Sequence, residues 1–99
     1  MAYSYFFDPV AADEYEEAFS WYEKRSFLAA DNFIIRAQEA IAAACADPFR
    51  YRSGYKNFHE IPLKKYPYQL IYYVDEIKKI IVIVSIFHHK RHPKKKYEK

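Results

Sequence analysis

The stretch YQLIYYVDEIKKIIVIVSIF, residues 68–87, decides the fold. Its first part alternates. Tyr68, Leu70, Tyr72 and Val74 fall on one face, and Gln69, Ile71 and Tyr73 on the other. A period of two marks a β-strand. Asp75 to Lys79 is a charged turn. Ile80 to Phe87 is almost wholly apolar and β-branched, as expected of a central strand covered on both faces. Just upstream, Phe58 to Leu63 reads as a further short strand. Three sequential strands with short connections predict an antiparallel meander.

Further upstream the period changes. Asp8-Pro9 reads as a helix N-cap followed by proline at the first helical position. Ala11, Tyr15, Ala18, Phe19 and Tyr22 then form one apolar stripe at helical spacing. Glu14, Glu16, Glu17 and Glu23 are expected off that stripe, facing water. Ser26 can cap a second helix, whose stripe is Phe33 or Ile34, Ala37, Ala40, Ile41, Ala44 and Cys45. The small alanines let two helices approach closely, so the pair reads as a helical hairpin. Asp47-Pro48 ends it, because a residue before proline is pushed out of helical geometry. Tyr3 to Phe7 reads as an edge strand. The expected architecture is α+β, in the order β-α-α-β-β-β. The hairpin packs on one face of a small, mainly antiparallel sheet.

Composition narrows the function. A chain of 99 residues holds one domain, spanning 1–99 with a basic tail over 88–99. An apolar share of 52% is too high for a disordered chain. The 11 tyrosines point either to half-exposed rings at a binding surface or to a small core padded with large residues. Gly54 is the only glycine, which excludes glycine-rich phosphate loops and dinucleotide-binding turns. Cys45 is the only cysteine, so no intrachain disulfide forms, and its place on the apolar stripe marks a buried small hydrophobe. No signal-peptide pattern and no apolar run of membrane-spanning length is seen. The expectation is a soluble cytoplasmic protein without membrane contact.

The net charge of +3 hides an asymmetry: residues 1–49 carry nine acids against three bases, and residues 50–99 carry thirteen bases against four acids. One half is therefore suited to a polyanion or an acidic partner. The densest basic cluster comes after the last strand: His88-His89-Lys90-Arg91-His92-Pro93, then Lys94-Lys95-Lys96-Tyr97. An imidazole can exchange a proton near neutrality, and guanidinium and ammonium groups hold phosphate. The same groups can equally grip nucleic acid or an acidic protein, or form a solvated end. A second basic group comprises Arg50, Arg52, Lys56, Lys64 and Lys65, with Lys64-Lys65 beside Tyr66-Pro67-Tyr68. The binding set is Arg50, Arg52, Lys64, Lys65, Tyr73, Lys90, Lys94, Lys95, Lys96 and Tyr97. His88, His89 and His92 lack a carboxylate or thiolate to complete a familiar metal set, and nothing calls for a cofactor.

Three passages carry a resemblance. The first is Ala12-Asp13-Glu14-Tyr15-Glu16-Glu17-Ala18 with Trp21-Tyr22-Glu23-Lys24. The second runs from Asp47-Pro48-Phe49 through Tyr55-Lys56-Asn57-Phe58 to Ile61-Pro62-Leu63-Lys64-Lys65-Tyr66-Pro67-Tyr68. The third is Val84-Ser85-Ile86-Phe87-His88-His89-Lys90-Arg91-His92-Pro93-Lys94-Lys95. Taken in this order and spacing, they resemble the RelE/ParE superfamily of toxins, also called plasmid stabilisation proteins. The resemblance covers nearly the whole chain.

It implies a toxin paired with a neighbouring antitoxin, in a dimer or a hetero-oligomer. ParE-type members poison DNA gyrase. RelE-type members cut mRNA in the ribosomal A site without metal. They usually carry arginine on the third strand, in a run like Arg-Leu-Ile/Val-Tyr. Here the run is Gln69-Leu70-Ile71-Tyr72, and Gln69 cannot hold a phosphate as arginine does. The resemblance leaves three readings: a ParE-like toxin that binds a target such as gyrase; a RelE-like metal-independent endoribonuclease with His88, His89 and Arg91 catalytic; and an inactive member that binds only its antitoxin.

Overall fold

A computed structural model describes residues 3–53 and 56–88. The elements are β1 (Ser4–Phe7), α1 (Pro9–Glu23), α2 (Phe27–Ala46), β2 (His59–Pro62), β3 (Tyr68–Asp75) and β4 (Ile80–His88). This is the β-α-α-β-β-β order expected from the sequence. The one four-stranded sheet runs β1-β4-β3-β2. β2, β3 and β4 form the antiparallel meander, and β1 adds parallel to β4 at the edge. The helical hairpin followed by β2 and β3 supplies the long connection that the parallel pair β1 and β4 needs.

Both caps form as the sequence requires. The Asp8 carboxylate accepts from the Val10 N–H at 3.0 Å, with Pro9 opening α1. Ser26 Oγ accepts from the Ala29 N–H at 3.2 Å and starts α2. β2 is shorter than the expected 58–63, because Phe58 and Leu63 lie outside its ladder.

The core lies between the hairpin and one sheet face. Ala11, Ala18, Phe33, Ala37, Ile41 and Ala44 of the helices meet Leu70, Tyr72, Ile81, Ile83 and Ile86 of the sheet. The tyrosines settle mainly as core padding: Tyr72 is fully buried, Tyr68 nearly so, and Tyr15, Tyr22 and Tyr66 pack around Phe33. Buried phenols require partners, and two of these hydroxyls find them on the backbone. Tyr72 donates to the Pro48 carbonyl at 2.7 Å, and Tyr66 to the Ala29 carbonyl at 2.8 Å. Cys45 is buried as expected, and burial pushes its thiol pKa up. Among the described residues no helix is long and apolar enough to cross a membrane.

One expectation fails. Glu14 does not face water with its neighbours. Its Oε1 accepts from Ser85 Oγ at 2.8 Å and from the Ile86 N–H at 3.1 Å. The helical wheel placed it off the apolar stripe correctly. The wheel could not show that β1 ends early there and leaves β4 donors beside α1.

Candidate functional site

The ladder register sorts side chains onto two faces. Tyr68, Leu70 and Tyr72 point toward the helices. Ile71, Val84 and Phe87, with Phe58 and Val82, cluster on the opposite face. The pairs Glu60↔Ile71, Pro62↔Gln69, Gln69↔Phe87 and Tyr73↔Val82 put Glu60, Pro62, Gln69 and Tyr73 on that same face. No lysine, arginine or histidine of β2, β3 or β4 joins them among the described residues. His59 turns the other way. It stacks on Tyr72 at 5.3 Å between ring centroids.

The cationic candidates sit around this face rather than on it. His88 ends β4 opposite Tyr68, and its ring meets the Tyr68 ring edge-on at 5.0 Å. Tyr68 belongs to the helix-side core, so His88 is drawn toward that side. Lys64 and Lys65 occupy the exposed turn between β2 and β3, at the same end of the sheet. The turn is closed by Leu63 N–H donating to the Tyr68 carbonyl at 3.0 Å. Lys65 itself has φ 67°, a left-handed conformation uncommon for a residue with a Cβ. The structure thus brings His88, Lys64 and Lys65 to one end.

Arg50 and Arg52 lie elsewhere, on the exposed connection from α2 to β2. Three bonds fix that connection: the Tyr72 hydroxyl to the Pro48 carbonyl, His59 Nδ1 to the Tyr51 carbonyl at 3.0 Å, and the Glu60 N–H to the Arg52 carbonyl at 3.0 Å. A carbonyl only accepts, so His59 Nδ1 carries a proton. The guanidinium of Arg50 lies 5.9 Å from the Tyr51 ring. Tyr73 stands on the open face, edge-on to Phe58 at 6.3 Å, and lines a shallow recess of about 260 Å³ with Lys56, Asn57, Phe58 and Val74. His89, Lys90, Arg91, Lys94, Lys95, Lys96 and Tyr97 lie outside the described residues.

Sequence reasoning missed two residues. His59 reads from sequence as an isolated polar residue in a strand, yet it braces the connection that carries Arg50 and Arg52. Glu14 reads as solvated. No sequence signal marks either, because both act through partners distant in the chain. Among the described residues no group of three or more histidines, cysteines or carboxylates is placed to hold a metal ion.

Comparison with known proteins places this arrangement. The family described as the ParE toxin of type II toxin–antitoxin systems, parDE, matches residues 5–93. No curated protein matches the chain. Among solved structures, the chain is similar to the chromosomal ParDE toxin–antitoxin system of P. aeruginosa, with 16% identity and a TM-score of 0.66, covering 88% of this chain and 96% of that one. It is also similar to a double arginine-to-alanine variant of E. coli toxin RelE in the free state, with 19% identity and a TM-score of 0.58, covering 94% and 90%. At these identities the solved structures speak for the fold, and the family match over nearly the whole chain speaks for descent. The chain belongs to the ParE toxin family of type II toxin–antitoxin systems.

Proposed function

We propose that this toxin arrests growth by binding a protein target, with DNA gyrase as that target, and that it cuts no RNA. The cognate antitoxin holds it silent in the cytoplasm until released. One observation carries the reading. The meander face turned away from the helices carries Glu60 and Ile71, both buried, half-buried Gln69, and exposed Pro62 and Tyr73, and β2, β3 and β4 bring no cation to it among the described residues.

Cleaving a phosphodiester without metal requires cations at the phosphate as charge develops, and a group to take the 2′-hydroxyl proton. Gln69 offers a neutral amide, which cannot hold a phosphate as a guanidinium does. The described cations of the binding set lie at the rim, on the Lys64-Lys65 turn and the Arg50–Arg52 connection, and Lys56 lines the recess beside Tyr73. Charges so placed steer an acidic protein surface into register and speed association.

Purified toxin added to DNA gyrase and, separately, to translating ribosomes tests the proposal. The expected result is inhibited supercoiling with intact mRNA. Codon-positioned cleavage of mRNA with unaffected gyrase returns the chain to the RelE-like nuclease reading. Activity on neither, with folded protein, leaves a chain that binds only its antitoxin.

A further inference from the structure

β4 loses its edge partner partway along. β1 ends at Phe7, and the Asp8 N–H to Ile83 carbonyl bond, at 2.9 Å, closes that ladder. Beyond it, β4 is also irregular toward β3. Ile71 pairs with Ser85 and Tyr72 with Ile83, so Val84 has no partner across the ladder. Such a bulge bends the strand and re-aims the residues beyond it. A bulged, half-edged strand end would ordinarily fray.

Glu14 occupies the place where the missing strand would be. A single oxygen, Oε1, accepts both the Ser85 hydroxyl and the Ile86 N–H. Ser85 is 1% exposed and Glu14 half-buried, so these bonds are partly shielded from water, which strengthens a charged acceptor. Two residues later His88 rests against Tyr68, at the point where the basic tail begins.

We infer that Glu14 is a positioning residue: its carboxylate substitutes for a β-strand at the end of β4, sets the strand's direction after the bulge, and so places His88 for target binding. The functional half of this inference rests on the target-binding reading above. The first helix and the last strand, 71 residues apart in the chain, are one unit at this point.

The test compares full-length wild type, Glu14→Ala, Glu14→Gln and Ser85→Ala. The readouts are amide exchange at Ile86, the NMR shifts of the His88 imidazole protons beside the Tyr68 ring, and growth after induction. Circular dichroism monitors the fold. Glu14→Ala is expected to speed Ile86 exchange about tenfold, to erase the ring-induced His88 shifts, and to relieve growth arrest. Glu14→Gln keeps an oxygen that accepts both bonds and restores all three readouts. Ser85→Ala, which removes one donor from the strand side, gives a partial effect and stands in if Glu14→Ala does not fold. Unchanged His88 shifts in folded Glu14→Ala overturn the positioning role. Displaced His88 with undiminished arrest overturns its link to the target. A wild-type chain that never arrests growth defeats the target-binding reading instead, and the His88 shifts still decide the positioning role.

Discussion

The Tyr72 hydroxyl donates to the Pro48 carbonyl oxygen at 2.7 Å, joining the middle of β3 to the chain just past the end of α2. Both residues are buried. Removing the hydroxyl leaves a buried carbonyl without its donor, which costs about 1–3 kcal/mol. Tyr72→Phe should therefore lower the melting temperature by roughly 4–20 °C for a domain of this size. Thermal unfolding followed by circular dichroism checks it. An unchanged midpoint would mean that water replaces the phenol without loss.

The same phenol predicts a pH dependence. Burial, helped by Tyr51 and Asp47 nearby, pushes the Tyr72 pKa well above the ordinary 10.0. A folded-state pKa raised above the unfolded one contributes stability that is complete below pH 10.0 and lost as the pH rises toward the folded value. Wild type should weaken above about pH 10, and Tyr72→Phe should show a flatter profile there. Denaturant unfolding at several alkaline pH values measures the difference. Parallel profiles would remove Tyr72 as the source.

Phe33 is the hub of the aromatic core, with Tyr15, Tyr22, Tyr66 and Tyr68 ring centroids all within 5.8 Å. It is fully buried. Phe33→Ala should cost about 3–5 kcal/mol, enough to unfold a marginal domain. A loss below about 1 kcal/mol in chemical denaturation would show that the tyrosines collapse into the space.

The turn cations can be tested without disturbing the backbone. Lys65 holds a left-handed φ of 67°, where glycine fits without strain. Lys64→Ala with Lys65→Gly should therefore keep or slightly raise stability while slowing association with an acidic target. The expected sign is a lower association rate with a reduced dependence on salt. An unchanged rate would take this turn out of the interface.

Much of the fold is legible in residues 68–87, because strict alternation and then a β-branched run admit few arrangements. The caps at Asp8 and Ser26 are equally local and therefore readable. The site is less so. Glu14 looks like any exposed helical glutamate until β1 is seen to stop at Phe7. The Val84 bulge has no sequence mark, since it sits within a run of strand-forming residues. His59 becomes a brace only when Tyr51 and Tyr72 fold around it. Gln69, by contrast, could be weighed from sequence, because register alone sets it on the open face.

The tail should carry the effector. Truncation after His88 leaves β4 whole and removes the cluster from His89 to Lys99. The shortened chain should lose toxicity and still bind its antitoxin, as measured by growth after induction and by co-purification. Full growth arrest at equal expression would place the effector elsewhere.

The most direct test of target binding without RNA cleavage is pulse-labelling just after induction in a bacterial host without antitoxin. Thymidine and amino-acid incorporation are followed side by side. A gyrase-directed toxin stops thymidine incorporation first, with protein synthesis falling later. Amino-acid incorporation falling first would contradict the account and make Gln69, on a face to which the strands bring no described cation, the residue to explain.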